Sequence, residues 1–75
     1  MDMSFYNQCI YVAGEATKVP MVPVAPHKRT PINIMMRQLQ QGIQVARALN
    51  KDSGALVNAI HHLNRVLALR EKVSG

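Results

Sequence analysis

The second half of the chain carries apolar residues at steps of three and four, a spacing that places them on one face of an α-helix. Thr30 and Pro31 come just before this stretch and supply a favoured N-cap residue followed by proline at the first helical position. The pattern predicts a helix over about residues 31–50. Its apolar face contains Ile32, Met35, Met36, Leu39, Ile43, Ala46 and Leu49.

A second stretch with the same period follows a short polar break at residues 50–53. Either Asp52 or Ser53 can cap the helix that this stretch predicts, which extends over about residues 53–73. A link this short makes consecutive helices antiparallel neighbours, so residues 30–75 are expected to form a helical hairpin. The second apolar face contains Leu56, Ala59, Ile60, Leu63, Val66 and Leu67.

Gly42 interrupts the apolar face of the first predicted helix. Because glycine lowers helix stability by about 1 kcal/mol relative to alanine, its presence there has two interpretations. Either the glycine is simply tolerated, or it allows another part of the backbone to approach closely.

The first 29 residues differ in composition, since they contain three of the four prolines and all of the aromatic residues. Residues 9–13 form a short β-prone run, residues 14–17 can turn, and residues 18–19 can begin a returning strand. The expected fold is mainly α. An extended, proline-punctuated N-terminal arm over residues 1–29, with or without this short β-hairpin, precedes the antiparallel two-helix hairpin.

Pro20, Pro23 and Pro26 recur at every third position, which is the period of a left-handed polyproline helix. No side chain in residues 19–26 is charged or polar, whereas flexible linkers are typically rich in polar residues. The short pattern PxxPx(K/R) at residues 23–28 also matches motifs that polyproline-binding domains recognise, but it arises often by chance. We expect the segment to contact a partner through Val19, Pro20, Met21, Val22, Pro23, Val24 and Pro26.

A hairpin of two amphipathic helices leaves part of each apolar face uncovered. The uncovered surface has to be closed by the N-terminal arm, by a second copy of the chain or by a larger partner. The residues expected at this seam, and therefore at a partner interface, are Met35, Met36, Leu39, Ile43, Ile60, Leu63 and Leu67.

Nine Lys and Arg residues outnumber four Asp and Glu residues, which gives a formal net charge of +5. The excess favours an acidic partner, either nucleic acid or an anionic protein surface, although simple solubility explains it equally well. The hairpin does not fit a helix-turn-helix motif, because its second helix begins with small and apolar residues instead of polar ones. The candidate anion contacts are Lys28, Arg29, Arg37, Arg47, Arg65 and Arg70.

The sequence presents no recognisable site for catalysis, for a metal or for a cofactor. His61 and His62 are adjacent, so on a helix their side chains diverge by about 100° and do not readily chelate one ion. The acidic residues are scattered, and the glycines form no phosphate-binding loop. Cys9 is the only cysteine and therefore cannot form an internal disulfide. We expect a protein that is not an enzyme.

The start of the chain lacks the features of a signal peptide, and no stretch approaches the roughly 20 apolar residues of a membrane span. These features predict a location inside the cell or within a virion. The expected function is that of a small accessory or structural protein that stabilises or joins a large assembly, such as a viral minor capsid or cement subunit. Two alternatives stay open: a phage-type inhibitor or adaptor that binds a host protein, and a basic nucleic-acid-binding protein.

Overall fold

A computed structural model describes residues 3–70 and shows three α-helices joined by two connecting segments. Helix α1 extends over Ser4–Thr17, α2 over Pro26–Ala48 and α3 over Gly54–Ala68. No β-strand is present within residues 3–70. The prediction of a mainly α fold is therefore confirmed, but the chain has one helix more than the sequence analysis anticipated.

The helices pack into an up-down-up bundle in which each helix contacts the other two. At one end, the Tyr6 hydroxyl near the start of α1 donates to the Asp52 carbonyl oxygen just before α3, at 2.8 Å. At the opposite end, Arg29 in the first turn of α2 donates to the Leu67 carbonyl oxygen in the last turn of α3, at 3.1 Å. Helices α1 and α3 therefore run in the same direction, and α2 runs opposite to both.

Residues 4–17 form α1, so the expectation of an extended N-terminal arm with an optional β-hairpin is wrong for this stretch. The β-prone run lies in the middle of the helix. Intrinsic propensity is a weak local preference that tertiary packing overrides. In α1 the packing uses the helical spacing of Cys9, Ala13 and Ala16, whose side chains are all buried in the core.

Helix α1 covers the apolar faces of α2 and α3. Leu39, Leu56 and Leu63 are fully buried and belong to the same cluster as Cys9. No polar or charged residue is buried within residues 3–70. The other predicted seam residues pack against this cluster as partly buried side chains: Met35, Met36, Ile43, Ile60 and Leu67. Because the N-terminal residues supply a third helix, the seam is closed within the chain, which is the first of the three possibilities that the sequence left open.

Helix α2 begins more than one turn before its predicted start. Pro26 occupies the first helical position, where its missing N–H costs nothing, and Lys28 donates its backbone N–H to the Ala25 carbonyl oxygen at 2.9 Å. Pro31, which was expected at the first position, lies inside the helix. The early turn is held by Arg29 through its contact with α3, a long-range contact that no local pattern reveals.

Helix α2 ends in a Schellman motif, two residues before its predicted end. Asn50 has a φ angle of 57°, a left-handed conformation that asparagine adopts more readily than most residues. The Asn50 N–H bonds to the Arg47 carbonyl oxygen at 3.2 Å, and the Lys51 N–H bonds to the Ala46 carbonyl oxygen at 2.7 Å. These two bonds satisfy carbonyl groups that the helix end would otherwise leave unpaired.

Helix α3 is shorter than the predicted span of about residues 53–73. At its start, Ser53 is the N-cap residue but its side chain makes no cap hydrogen bond, while the preceding Asp52 carboxylate accepts a hydrogen bond from the Gly54 backbone N–H at 2.9 Å. At its end, Leu69 adopts an extended conformation that stops the helix after Ala68. Residues 71–75, which include the rest of the predicted helix, lie outside the described part of the chain.

Gly42 lies at a close contact between α1 and α2. A Cβ atom at this position would lie 2.7 Å from Sγ and 2.9 Å from Cβ of Cys9, and 3.2 Å from Cδ1 of Leu56. Of the two interpretations of Gly42, close approach is therefore the one that the packing supports. The Cys9 thiol donates to the Gln38 carbonyl oxygen at 3.6 Å, and burial raises the pKa of this thiol.

Candidate functional site

Residues 18–25 join α1 to α2, and we call this segment the connector. It is non-helical and has no sheet partner within residues 3–70. It also bends, because the Val22 N–H donates to the Pro20 carbonyl oxygen at 2.9 Å and closes a tight turn. A polyproline helix has no internal hydrogen bonds, so the predicted regular polyproline conformation is interrupted here.

The connector is anchored to the bundle at both ends. Val19 and Val24 pack against the core cluster. His62 of α3 donates from Nε2 to the Val19 carbonyl oxygen at 2.7 Å, and since a carbonyl oxygen only accepts, this nitrogen carries the proton. The connector is therefore held against the bundle at Val19 and at Val24.

Between the anchors, the connector presents apolar side chains to solvent. Met21 is 50% exposed and Val22 is 53% exposed. Beside them lies an apolar groove of about 330 Å³ between the connector and the first turns of α2. The groove is lined by Val19, Pro20, Val22, Pro23, Val24, Lys28, Pro31 and Ile32.

A second concavity, also of about 330 Å³, lies where the connector meets the end of α3. Arg29 and Arg70 both donate to the Leu67 carbonyl oxygen, at 3.1 Å and 2.9 Å. We call this concavity the paired-arginine pocket. Its lining residues are Pro23, Val24, Pro26, Arg29, Leu69 and Arg70.

The predicted anion contacts separate into two groups in the structure. Arg29 and Arg70 converge on one carbonyl group, and Lys28 lines the neighbouring apolar groove. Arg37 and Arg47 are exposed on α2, well along the helix from its first turn. The sixth predicted contact, on α3, is also exposed and belongs to neither pocket: Arg65.

The exposed surface of α2 is basic and rich in amides. Arg37 lines a shallow depression together with Gln40, Gln41 and Gln44, and the whole helix contains no acidic residue. Within residues 3–70, the one ion pair joins Lys18 and Glu15, with Nζ and Oε1 3.4 Å apart on exposed side chains. The cations of α2 and α3 therefore have no carboxylate partner in the described part of the chain.

Two of the predicted contacts at the helix seam lie in the core of the folded chain. Leu39 and Leu63 have no exposed surface at all. The other five seam residues are partly buried, whereas Pro20, Met21 and Val22 on the connector are exposed.

The sequence analysis did not identify two side chains that join separate parts of the fold. One holds the start of the connector against α3, and the other joins the start of α1 to the start of α3. His62 is half-buried against Val19, whereas the neighbouring His61 is exposed. Tyr6 likewise joins two helices by donating to a backbone carbonyl group. A carbonyl acceptor exists at every residue, so neither contact leaves a signal in the sequence.

Residues 3–70 contain no group of three or more His, Cys, Asp or Glu side chains that could hold a metal ion. No helix in the described chain is long and apolar enough to cross a membrane.

Comparison with protein-family models, with curated proteins and with solved structures finds no match for this chain. The function of the chain is therefore inferred from the arrangement of its own residues.

Proposed function

We propose that this protein is a non-enzymatic accessory protein that binds a larger protein or assembly through the connector. One observation carries the proposal: Met21 and Val22 remain half exposed on a segment that is fixed at both ends. Single exposed apolar residues are common, but here they adjoin an apolar groove, and such contiguous surfaces mark interaction sites.

Anchoring favours binding because it lowers the entropy lost when a partner docks. A free linker has to be ordered on binding, whereas the connector is held by Val19, Val24 and His62 before the partner arrives. Met21 adds an adaptable side chain, since methionine fits irregular apolar surfaces well. The connector thus combines a fixed backbone with adaptable contacts.

Charge indicates the chemistry of the partner. Lys28, Arg29 and Arg70 border the connector and have no carboxylate partner within residues 3–70. Complementary interfaces oppose positive and negative potentials. The partner is therefore a protein surface with apolar side chains surrounded by acidic ones. A structural subunit of an assembly, such as a capsid, and a host protein bound by an inhibitor both fit this description, and the identity of the partner decides between them.

A pair of matched variants tests the proposal. Val22→Asp places a charge on the connector, whereas Ile34→Asp places the same charge on α2 at a residue that is 60% exposed and lines neither pocket. A photo-crosslinking residue at position 21 or at position 34 then identifies the neighbour in the native source. We expect position 21 to crosslink one stoichiometric protein, and Val22→Asp alone to abolish its co-purification.

Two results would contradict the proposal. One is equal loss of the partner in Val22→Asp and Ile34→Asp. The other is co-purification of nucleic acid alone, with binding that falls about a thousandfold between roughly 50 and 200 mM salt, because phosphate contacts are lost steeply with salt. Apolar contacts should largely survive that change.

Nucleic-acid binding is a second candidate function, favoured by the acid-free surface of α2 with its arginines and glutamines. Arginine and amide side chains are common phosphate contacts. If this surface binds nucleic acid, Arg37→Gln and Arg47→Gln should each lower the slope of log affinity against log salt by about 1, uniformly across sequences. Unchanged gel-shift affinity in both variants would remove this candidate.

A further inference from the structure

In the paired-arginine pocket, two arginine side chains bind the same carbonyl group at the end of α3. Arg29 Nη2 and Arg70 Nη1 donate to the same Leu67 carbonyl oxygen. The distance between these two nitrogens therefore cannot exceed the sum of the two hydrogen-bond lengths. A guanidinium group has five N–H donors, and one or two are used on each side chain. Several donors at this site therefore stay available for a ligand.

The local charge favours an anion. The C-terminal end of a helix carries roughly half a negative charge, which is less than the two positive charges gathered at the end of α3. No carboxylate within residues 3–70 pairs with either arginine. Two like charges held close together repel each other, and a bound anion relieves that repulsion.

The shape of the pocket distinguishes among anions. Its remaining walls are Pro23, Val24, Pro26 and Leu69, which offer apolar contacts and no further donor side chains. A guanidinium group matches the planar geometry of a carboxylate, which accepts two parallel N–H bonds from it. A carboxylate on an aliphatic stem, next to an apolar residue, fits both the donors and the walls.

We propose that the paired-arginine pocket binds an acidic side chain of the partner protein, with an adjacent apolar side chain of that partner against Pro23 and Val24. This inference rests on the proposed function, because it assigns the pocket to the same interface as the connector. Pro23 and Val24 line both the pocket and the connector groove, so the two surfaces are continuous.

A titration of the isolated protein tests the pocket without the partner. The probes are the blocked peptide acetyl-Leu-Glu-Leu-amide, its Gln counterpart and inorganic phosphate, and the readout is the Nε–Hε NMR signals of the arginines. We expect the Glu peptide to shift the signals of Arg29 and Arg70 saturably, and the Gln peptide to bind about tenfold more weakly or worse, because a charge-assisted hydrogen bond is lost.

Variants separate binding from folding. Arg70→Gln removes an exposed side chain and should abolish the Glu-specific affinity while far-UV dichroism shows an intact fold. Arg29→Gln should do the same, although it also removes a contact that holds the start of α2. Arg37→Gln, on the other surface of α2, is the matched control and should leave the affinity unchanged.

Four outcomes would overturn the inference. They are equal binding of the Glu and Gln peptides, tighter binding of phosphate than of the Glu peptide, full affinity in Arg70→Gln, and an affinity that rises tenfold or more in Glu71→Gln. The last would mean that the chain's own carboxylate neutralises the pair. If the pocket fails these tests while Val22→Asp still blocks partner binding, the proposed function stands alone. If the pocket passes and Val22→Asp has no effect, the proposed function fails instead.

Discussion

Two regions of the molecule are built from apolar or small residues but differ in what surrounds them. The first is the contact among Cys9, Gly42 and Leu56, and the second is the surface around Met21 and Val22. At the first, Cys9 and Leu56 have no exposed surface, and a methyl group added to Gly42 would overlap its neighbours. At the second, half of each side chain faces solvent although the segment is anchored at both ends. The helices leave no room for an added atom at Gly42, whereas an open apolar groove lies beside the connector.

This difference separates stability from binding. Apolar surface that is already buried inside the chain contributes to folding, and changes there should appear as changes in the free energy of unfolding. Apolar surface that folding leaves exposed contributes only when a partner covers it. The same kind of substitution should therefore lower the free energy of unfolding in the first region and weaken partner binding in the second.

The largest expected effect comes from truncating the same amount of side chain in each environment. Leu63→Ala should lower the free energy of unfolding by about 2–5 kcal/mol, because it leaves a cavity in the core. Met21→Ala should change it by less than about 0.5 kcal/mol, as is usual for exposed sites. Urea unfolding followed by far-UV dichroism measures both. A comparable loss in Met21→Ala would mean that the connector belongs to the core.

The substitution Gly42→Ala, which adds a methyl group, should also destabilise the protein. Overpacking against Cys9 costs about 1–3 kcal/mol, which exceeds the gain in helix propensity of about 1 kcal/mol. The same substitution in a Cys9→Ala background should cost less, since the nearest atom, Sγ, is gone. A double-mutant cycle measures this coupling. Additive effects would contradict the close contact as the cause.

Gly14 is the internal control for that substitution, because it lies in α1 and, apart from its chain neighbours and the adjacent backbone of its own helix, no atom lies within 4 Å of where its Cβ would be. Gly14→Ala should raise the free energy of unfolding by about 0.5–1 kcal/mol through helix propensity and a less flexible unfolded chain. Thermal melts are sufficient to detect the sign. A loss of stability in this variant would show that α1 is not helical at this position.

The smallest effect is confined to alkaline pH. Burial raises the pKa of the Cys9 thiol, so above the ordinary thiol pKa of about 8.5 the unfolded chain releases this proton while the folded chain retains it. The folded state then binds more protons than the unfolded state, and stability falls as pH rises through this range. The difference in unfolding free energy between the wild type and Cys9→Ala, followed from pH 7 upward, isolates this slope. A constant difference would contradict the burial of the thiol.

The sequence by itself determined most of what depends on neighbours along the chain. The stripes of α2 and α3 follow from residues three and four apart, such as Leu39 and Ile43 or Leu56 and Ile60, so their period is visible locally. The apolar, proline-rich character of the connector was equally visible, because composition requires no fold to be read.

Only the tertiary structure decided the features that depend on long-range packing. Helix α1 has small residues on its buried face, including Ala13 and Ala16, and its β-prone middle becomes helical because α2 and α3 offer a surface that this face fits. The role of Gly42 depends on Cys9 in another helix, and the pairing of Arg29 with Arg70 depends on a shared backbone carbonyl group. Such contacts join residues that are distant in sequence, and for that reason no local pattern encodes them.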